Sequence, residues 1–316
     1  MRRSARWSGD SRTAEVRRAT LVLPFAAASA LAGPPPATTP EPAGKSLPQV
    51  TVEADRVTLE HRVFNFVTDI TRSAPRGESL HIWRAPICPL VAGLPKDQGE
   101  FVLARLSQAA HAAGAPLDGE KCRPNLYVVF TQEPDELIKT WREHSNRSFG
   151  GVRGTPAAVD RFATRREPVR VWYNREFGSA DDGPLTSDSS MEGFALNGSA
   201  AVVNKRAKDT RLTFNEVMLF SSVIVVVDGN QVTGLQFGQL ADYIAMASMT
   251  ELDLDAPLGT APTILQLFTA RAAGATPPSG LTTWDSAFLK ALYYTPLKSV
   301  MQRSTITTEM MHSLAP

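Results

Sequence analysis

The sequence predicts an α+β fold, built as a mixed, partly parallel β-sheet with a crossover helix, a long helix after the last buried strand and a C-terminal helix. Three observations carry this expectation. A strand-like segment, an amphipathic helix and a second strand follow one another between Ser79 and Thr131, a spacing that suits a right-handed crossover between parallel neighbours. The run Val223-Ile224-Val225-Val226-Val227 is apolar without alternation, which implies a strand covered on both faces. Two strongly helical stretches follow it, Leu235 to Met249 and Thr283 to Tyr294.

Each element has a local reason. From Val57 to Thr71, the residues Leu59, Val63, Phe66, Val67 and Ile70 recur at three- and four-residue steps, the spacing of a helix with one buried face. Ser79 to Arg84 alternates like a short strand. Gly99 to Ala113 reads as a helix burying Phe101, Leu103, Ala104, Leu106 and Ala110, stopped by Gly114 and Pro116. Leu126 to Thr131 is β-rich, and Pro134 to His144 is helical in pattern. Further strands are expected at Val169 to Tyr173, Ala200 to Asn204, Val217 to Ser221 and Val223 to Asp228, the last ending in the turn signal Asp228-Gly229-Asn230. In the helix from Thr283 to Tyr294, Thr282 or Thr283 is the N-cap and Asp285 sits in the first turn.

Domain organisation follows from composition. Residues 1–32 join an Arg-bearing stretch, the apolar run Leu21 to Ala32 and a closing Ala30-Leu31-Ala32, the three parts of a secretory signal peptide. The apolar run is too short for a membrane span, which needs roughly 20 residues, and no cysteine follows it to carry a lipid. The paired Arg17-Arg18 leaves the export route open. Residues 33–49 hold a proline-rich stretch, an extended linker. One α+β domain is expected over 50–316, with an Arg- and Gly-rich surface excursion at about 145–168. Its arginines, with Arg170 just beyond, make either a solvated loop or a hold for an anionic partner.

The whole chain carries a net charge of +1. Residues 1–32 contribute six Arg against Asp10 and Glu15, so their removal leaves −3 and no electrostatic case for nucleic acid. The two cysteines, Cys88 and Cys122, both fall in the exported part and read most simply as one disulfide, with two buried free thiols as the alternative.

Catalytic motifs are missing from the sequence. There is no G-x-S-x-G, no phosphate-binding G-x-x-x-x-G-K-[ST], no S-x-x-K and no H-E-x-x-H, and none of the five histidines is paired at i, i+4. Neither a cofactor nor a metal is implied. Glu251, Asp253 and Asp255 alternate in TELDLDAP as hard oxygen ligands for calcium would, without the glycine and distal glutamate of a calcium loop.

The order of elements resembles the metzincin zinc peptidases. The shared features are a long helix after the last buried strand, a loop with Thr263-Ile264-Leu265, and a final helix with Asp285 near its start and Leu292-Tyr293 near its end. The family's H-E-x-x-H-x-x-G-x-x-H falls on Gln239, Leu240, Tyr243, Met246 and Met249, so every zinc ligand and the general base are replaced. The resemblance therefore implies the fold without the activity: a degenerate, pseudoenzyme-like domain. With 25 Arg against 8 Lys, the chain also resembles exported proteins of high-GC bacteria. The expectation is a periplasmic or secreted non-catalytic domain whose partner is a protein, peptide or cell-envelope component, with no transmembrane segment after signal cleavage. Its candidate groove is the flank of the long helix bearing Gln239, Asp242, Tyr243, Met246 and Met249. A hydrolase of unassigned mechanism using Asp242 and Tyr243 is the alternative.

Overall fold

A computed structural model describes residues 48–72, 78–144, 149, 155–179, 183–184, 216–297 and 301–315. The expected signal peptide, the linker up to residue 47 and the strand expected at Ala200 to Asn204 lie outside the described residues. The order is α1 (Pro48–Ile70), β1 (Pro89–Ala92), α2 (Lys96–Ala113), β2 (Leu126–Thr131), α3 (Pro134–His144), α4 (Pro156–Thr164) and β3 (Val169–Ser179). Then come β4 (Gly183–Pro184), β5 (Glu216–Asp228), α5 (Phe237–Met249), a 3-10 turn (Ile264–Gln266), α6 (Leu267–Ala272), α7 (Thr283–Tyr294) and α8 (Gln302–Leu314).

The sheet is mixed and partly parallel, in the order β1-β2-β5-β3-β4. β1, β2 and β5 run parallel, whereas β3 is antiparallel to β5 and meets the two-residue β4 only at Gly178 and Ser179. β5 explains why the sheet is a middle layer. Val223, Val225 and Val227 enter the large core with α1, α2, α5 and α7, while Ile224 and Val226 join Ile138, Phe149, Phe162 and Trp172 under α3 and α4. The unbroken apolar run thus feeds two cores from alternate residues.

Several expected elements shift. The crossover starts at β1, not at Ser79 to Arg84, where Ile82 makes only an isolated bridge to Thr250. Ser79 to Trp83 are buried all the same, and other elements take backbone groups there: Leu80 N donates to Gln302 Oε1 and Phe220 N to Ile82 O. In α2 the buried face is Val102, Leu106, Ala109, Ala110 and Ala113, with Phe101 exposed. The inward face therefore starts one residue later than the pattern predicts. Gly114 caps that helix in the left-handed region at φ 78°. The strands expected at Val217 to Ser221 and Val223 to Asp228 are one continuous strand. Helices α4 and α8 fall where the sequence pattern predicts none, although Thr155 followed by Pro156 is a legible start signal: its side chain accepts from Ala158 N.

Cys88 and Cys122 form a disulfide, with Cα atoms 5.9 Å apart. It ties the residue before β1 to the segment before β2, so it joins the starts of two parallel neighbours. Asn125 completes the latch: its Nδ2 donates to Pro86 O and its Oδ1 accepts from Cys88 N. Downstream, Gly93 has φ 84°, and a Cβ there would lie 1.9 Å from Phe130 O, so no side chain fits where β1 passes β2.

Alkylation without reductant should label neither cysteine. The Cys88→Ala, Cys122→Ala double variant should lose about 3 to 4 kcal/mol in denaturant melts, because the bond closes a loop of 34 residues. Two labelled thiols, or an unchanged melt, would reject the staple.

Candidate functional site

Helix α5 was the expected groove wall, and it is enclosed instead. Every residue from Gln239 to Met249 is buried, so the expected open flank of Gln239, Asp242, Tyr243, Met246 and Met249 does not exist. Gln239 Nε2 donates to Pro278 O at 2.6 Å. Asp242 accepts from Arg105 Nε and from Leu281 N, each at 2.9 Å, and its second oxygen also meets the Arg105 guanidinium. The loop before α7 closes over this side so tightly that a Cβ on Gly280 would stand 2.5 Å from Asp242 Oδ2. Tyr243 packs edge-on against Phe268 at 4.9 Å, and burial pushes its hydroxyl pKa well up. Helical periodicity identifies an inner face, but it cannot show that loops from elsewhere cover the outer one.

The far end of α5 explains the enclosure. Its last carbonyls have no partners within the helix, and Thr250 is extended and provides no helical cap. Three aromatic donors take them: Tyr173 OH to Ala247 O at 2.6 Å, Trp83 Nε1 to Ser248 O at 2.8 Å, and Tyr293 OH to Met249 O at 2.7 Å. Beyond the helix, Asp285 caps α7 through a capping box with Thr282 and also holds the preceding turn, accepting from Thr263 Oγ1 at 2.5 Å and Ile264 N at 2.8 Å. Burial pushes the Asp285 carboxyl above the usual range, against the pull of these hydrogen bonds.

An open site lies beside α5, along β3. A cleft of about 330 Å³, inside the usual size range of ligand pockets, is lined by Arg170, Val171, Trp172 and Tyr173 in succession. Side chains of a strand alternate between its faces, so a cavity touching four consecutive residues runs along the strand's edge. One wall is α4, whose Phe162 packs against Trp172 with ring centroids 5.6 Å apart and planes inclined at 58°. The other is the 251–255 loop, whose Leu252 and Leu254 belong to the same core as Val171 and Tyr173. Arg165 bridges the walls, pairing with Glu167 and with Asp255. Partial burial works against its charge, but the two carboxylates outweigh it and hold the guanidinium pKa above its ordinary value.

The acidic run Glu251, Asp253 and Asp255, whose alternation would suit calcium, is divided among other partners. Glu251 Oε2 meets His81 Nδ1 at 2.6 Å and Arg175 at 3.1 Å, Asp255 pairs with Arg165, and Asp253 Oδ1 accepts from Asp255 N. Among the described residues no three His, Cys, Asp or Glu side chains gather where they could hold a metal ion. Of the arginines noted in the sequence, Arg161, Arg165 and Arg170 come together on the cleft, while Arg147 and Arg153 lie outside the described residues. No helix among the described residues is long and apolar enough to cross a membrane. The chain matches no known protein family, no curated protein and no solved structure.

Two stability series test the enclosure of α5. Tyr243→Ala should cost about 3 to 5 kcal/mol, in the range of Leu240→Ala; a loss below 1 kcal/mol would return Tyr243 to an open flank. Tyr173→Phe and Tyr293→Phe should each cost about 1 to 3 kcal/mol, because each strands a buried carbonyl; neutral melts for both would mean that water reaches the end of α5.

Proposed function

We propose that this protein is an exported, non-catalytic binding domain with a degenerate zinc-peptidase-like layout, acting in the periplasm or outside the cell. Its partner, on this reading, is a peptide segment that lies along β3 as an added strand. The observation that carries the reading is the cleft following the β3 edge between two walls. Among the described residues β3 has a neighbour on that side only at Gly178 and Ser179, so the backbone from Arg170 to Tyr173 faces the cleft. A strand edge offers unpaired N–H and C=O groups at a regular spacing, and an extended peptide satisfies them while its side chains reach the walls on either side.

Export is supported by the tripartite N-terminal sequence and by the Cys88–Cys122 bond, which persists in oxidising compartments. The zinc-peptidase likeness is supported by α5 following β5, by Asp285 holding the Thr263-Ile264 turn, and by Tyr293 reaching the end of α5. Loss of activity within that layout is supported by Gln239, Leu240, Tyr243 and Met249 standing where ligands and base would be. Asp242 and Tyr243, the groups a hydrolase would draw on, are committed to Arg105, Leu281 and Phe268.

A random array of extended peptides should yield binders that slow hydrogen exchange of the β3 amides. Methylating alternate backbone nitrogens of a binder should abolish binding, since strand addition works through the main chain. Binding that ignores N-methylation, or protection confined to other elements, would contradict strand addition.

A further inference from the structure

The charges on the cleft indicate which peptides it selects. Four arginines and four acidic residues line it, Arg161, Arg165, Arg170 and Arg175 against Glu167, Glu251, Asp253 and Asp255. Six already have partners of opposite charge: Arg165 with Glu167 and Asp255, Arg175 with Glu251, and Arg170 with Asp135 outside the cleft. Among the described residues Arg161 and Asp253 have no such partner.

These two stand on opposite walls. Arg161 belongs to α4, which packs on the face of β3 bearing Trp172. Asp253 belongs to the loop whose Leu252 and Leu254 share the core with Val171 and Tyr173, on the other face. An extended peptide beside β3 sends successive side chains to alternate faces. Two of its side chains reach opposite walls only when an odd number of positions separates them.

Resting on the strand-addition reading above, we propose that the cleft selects peptide segments carrying one acidic and one basic side chain an odd number of residues apart. The acidic group meets Arg161 and the basic group meets Asp253. At even spacing both side chains point to one wall, and one of them leaves its match unmet. Parity, not composition, is then the determinant, and the preference does not depend on the direction in which the peptide runs.

The test uses the full exported protein and synthetic eight-residue peptides of one composition, with a single Glu and a single Lys in a β-prone neutral background, separated by one or three positions or by two or four. Fluorescence anisotropy should give tighter binding for the odd set, on the order of five-fold at low salt, shrinking as salt is raised. Arg161→Glu alone, or Asp253→Lys alone, makes the two unpaired charges alike and should erase the odd-over-even preference. The double variant Arg161→Glu, Asp253→Lys should restore it, because opposite signs again face each other across the strand. Both positions are on the cleft and outside the cores, so unchanged melts will certify the variants. Equal affinity for odd and even sets, from peptides that still protect β3, overturns the parity rule and leaves strand addition standing. A double variant that stays indifferent to spacing overturns it as well. Failure of every peptide to bind removes strand addition itself.

Discussion

Helix α5 has no solvent-facing side, and that constraint organises much of the molecule. A buried helix must find internal partners for every polar side chain and for the carbonyls that its own geometry leaves open. Here the solution draws on elements far apart in sequence: Arg105 from α2 and the loop at Pro278 to Leu281 for its polar flank, and Trp83, Tyr173 and Tyr293 for its end. Each donor fixes the element that carries it. The same bonds therefore place β3, the Ser79 to Arg84 segment, α2 and α7 around one axis.

The cleft is a consequence of that arrangement. Tyr173 is tied inward to α5 while its neighbour Trp172 is tied to α4 on the opposite face, so β3 is held from both sides. Thr250, just past α5, gives its hydroxyl to His81 O, and Glu251 next to it pairs with His81 and Arg175. These contacts anchor the start of the loop that forms the second wall. The rigid part of the protein thus supports the open part, and the two cleft charges without an opposite partner, Arg161 and Asp253, lie on its walls.

Much of the fold was legible because it depends on local pattern. The apolar run at Val223 to Val227, the Gly114 stop and the Thr282 cap each have a one-dimensional signature with a physical cause, and each is found where expected. The candidate site was not legible in the same way. Leu240, Ile244 and Ala247 recur at helical spacing and are buried, but the cover on Gln239 and Asp242 comes from a loop about 40 residues later and from α2 more than 130 residues earlier, and Tyr243 is covered by Phe268 of α6. The Arg-rich stretch and the TELDLDAP acids each stood out as a cluster of charge. Nothing in one dimension says that they face each other across the edge of a strand whose own length was underestimated, since β3 continues from Tyr173 to Ser179.

Helix α5 is an interior strut and not the wall of an open groove. Native-state hydrogen exchange measures this directly, because amides of an enclosed helix open only with the whole fold, whereas a groove wall opens locally. The account predicts that amides from Ala241 to Met249 exchange with the free energy of global unfolding and shift with it under denaturant. Exchange of those amides through local opening, several kcal/mol below the global value, would contradict it.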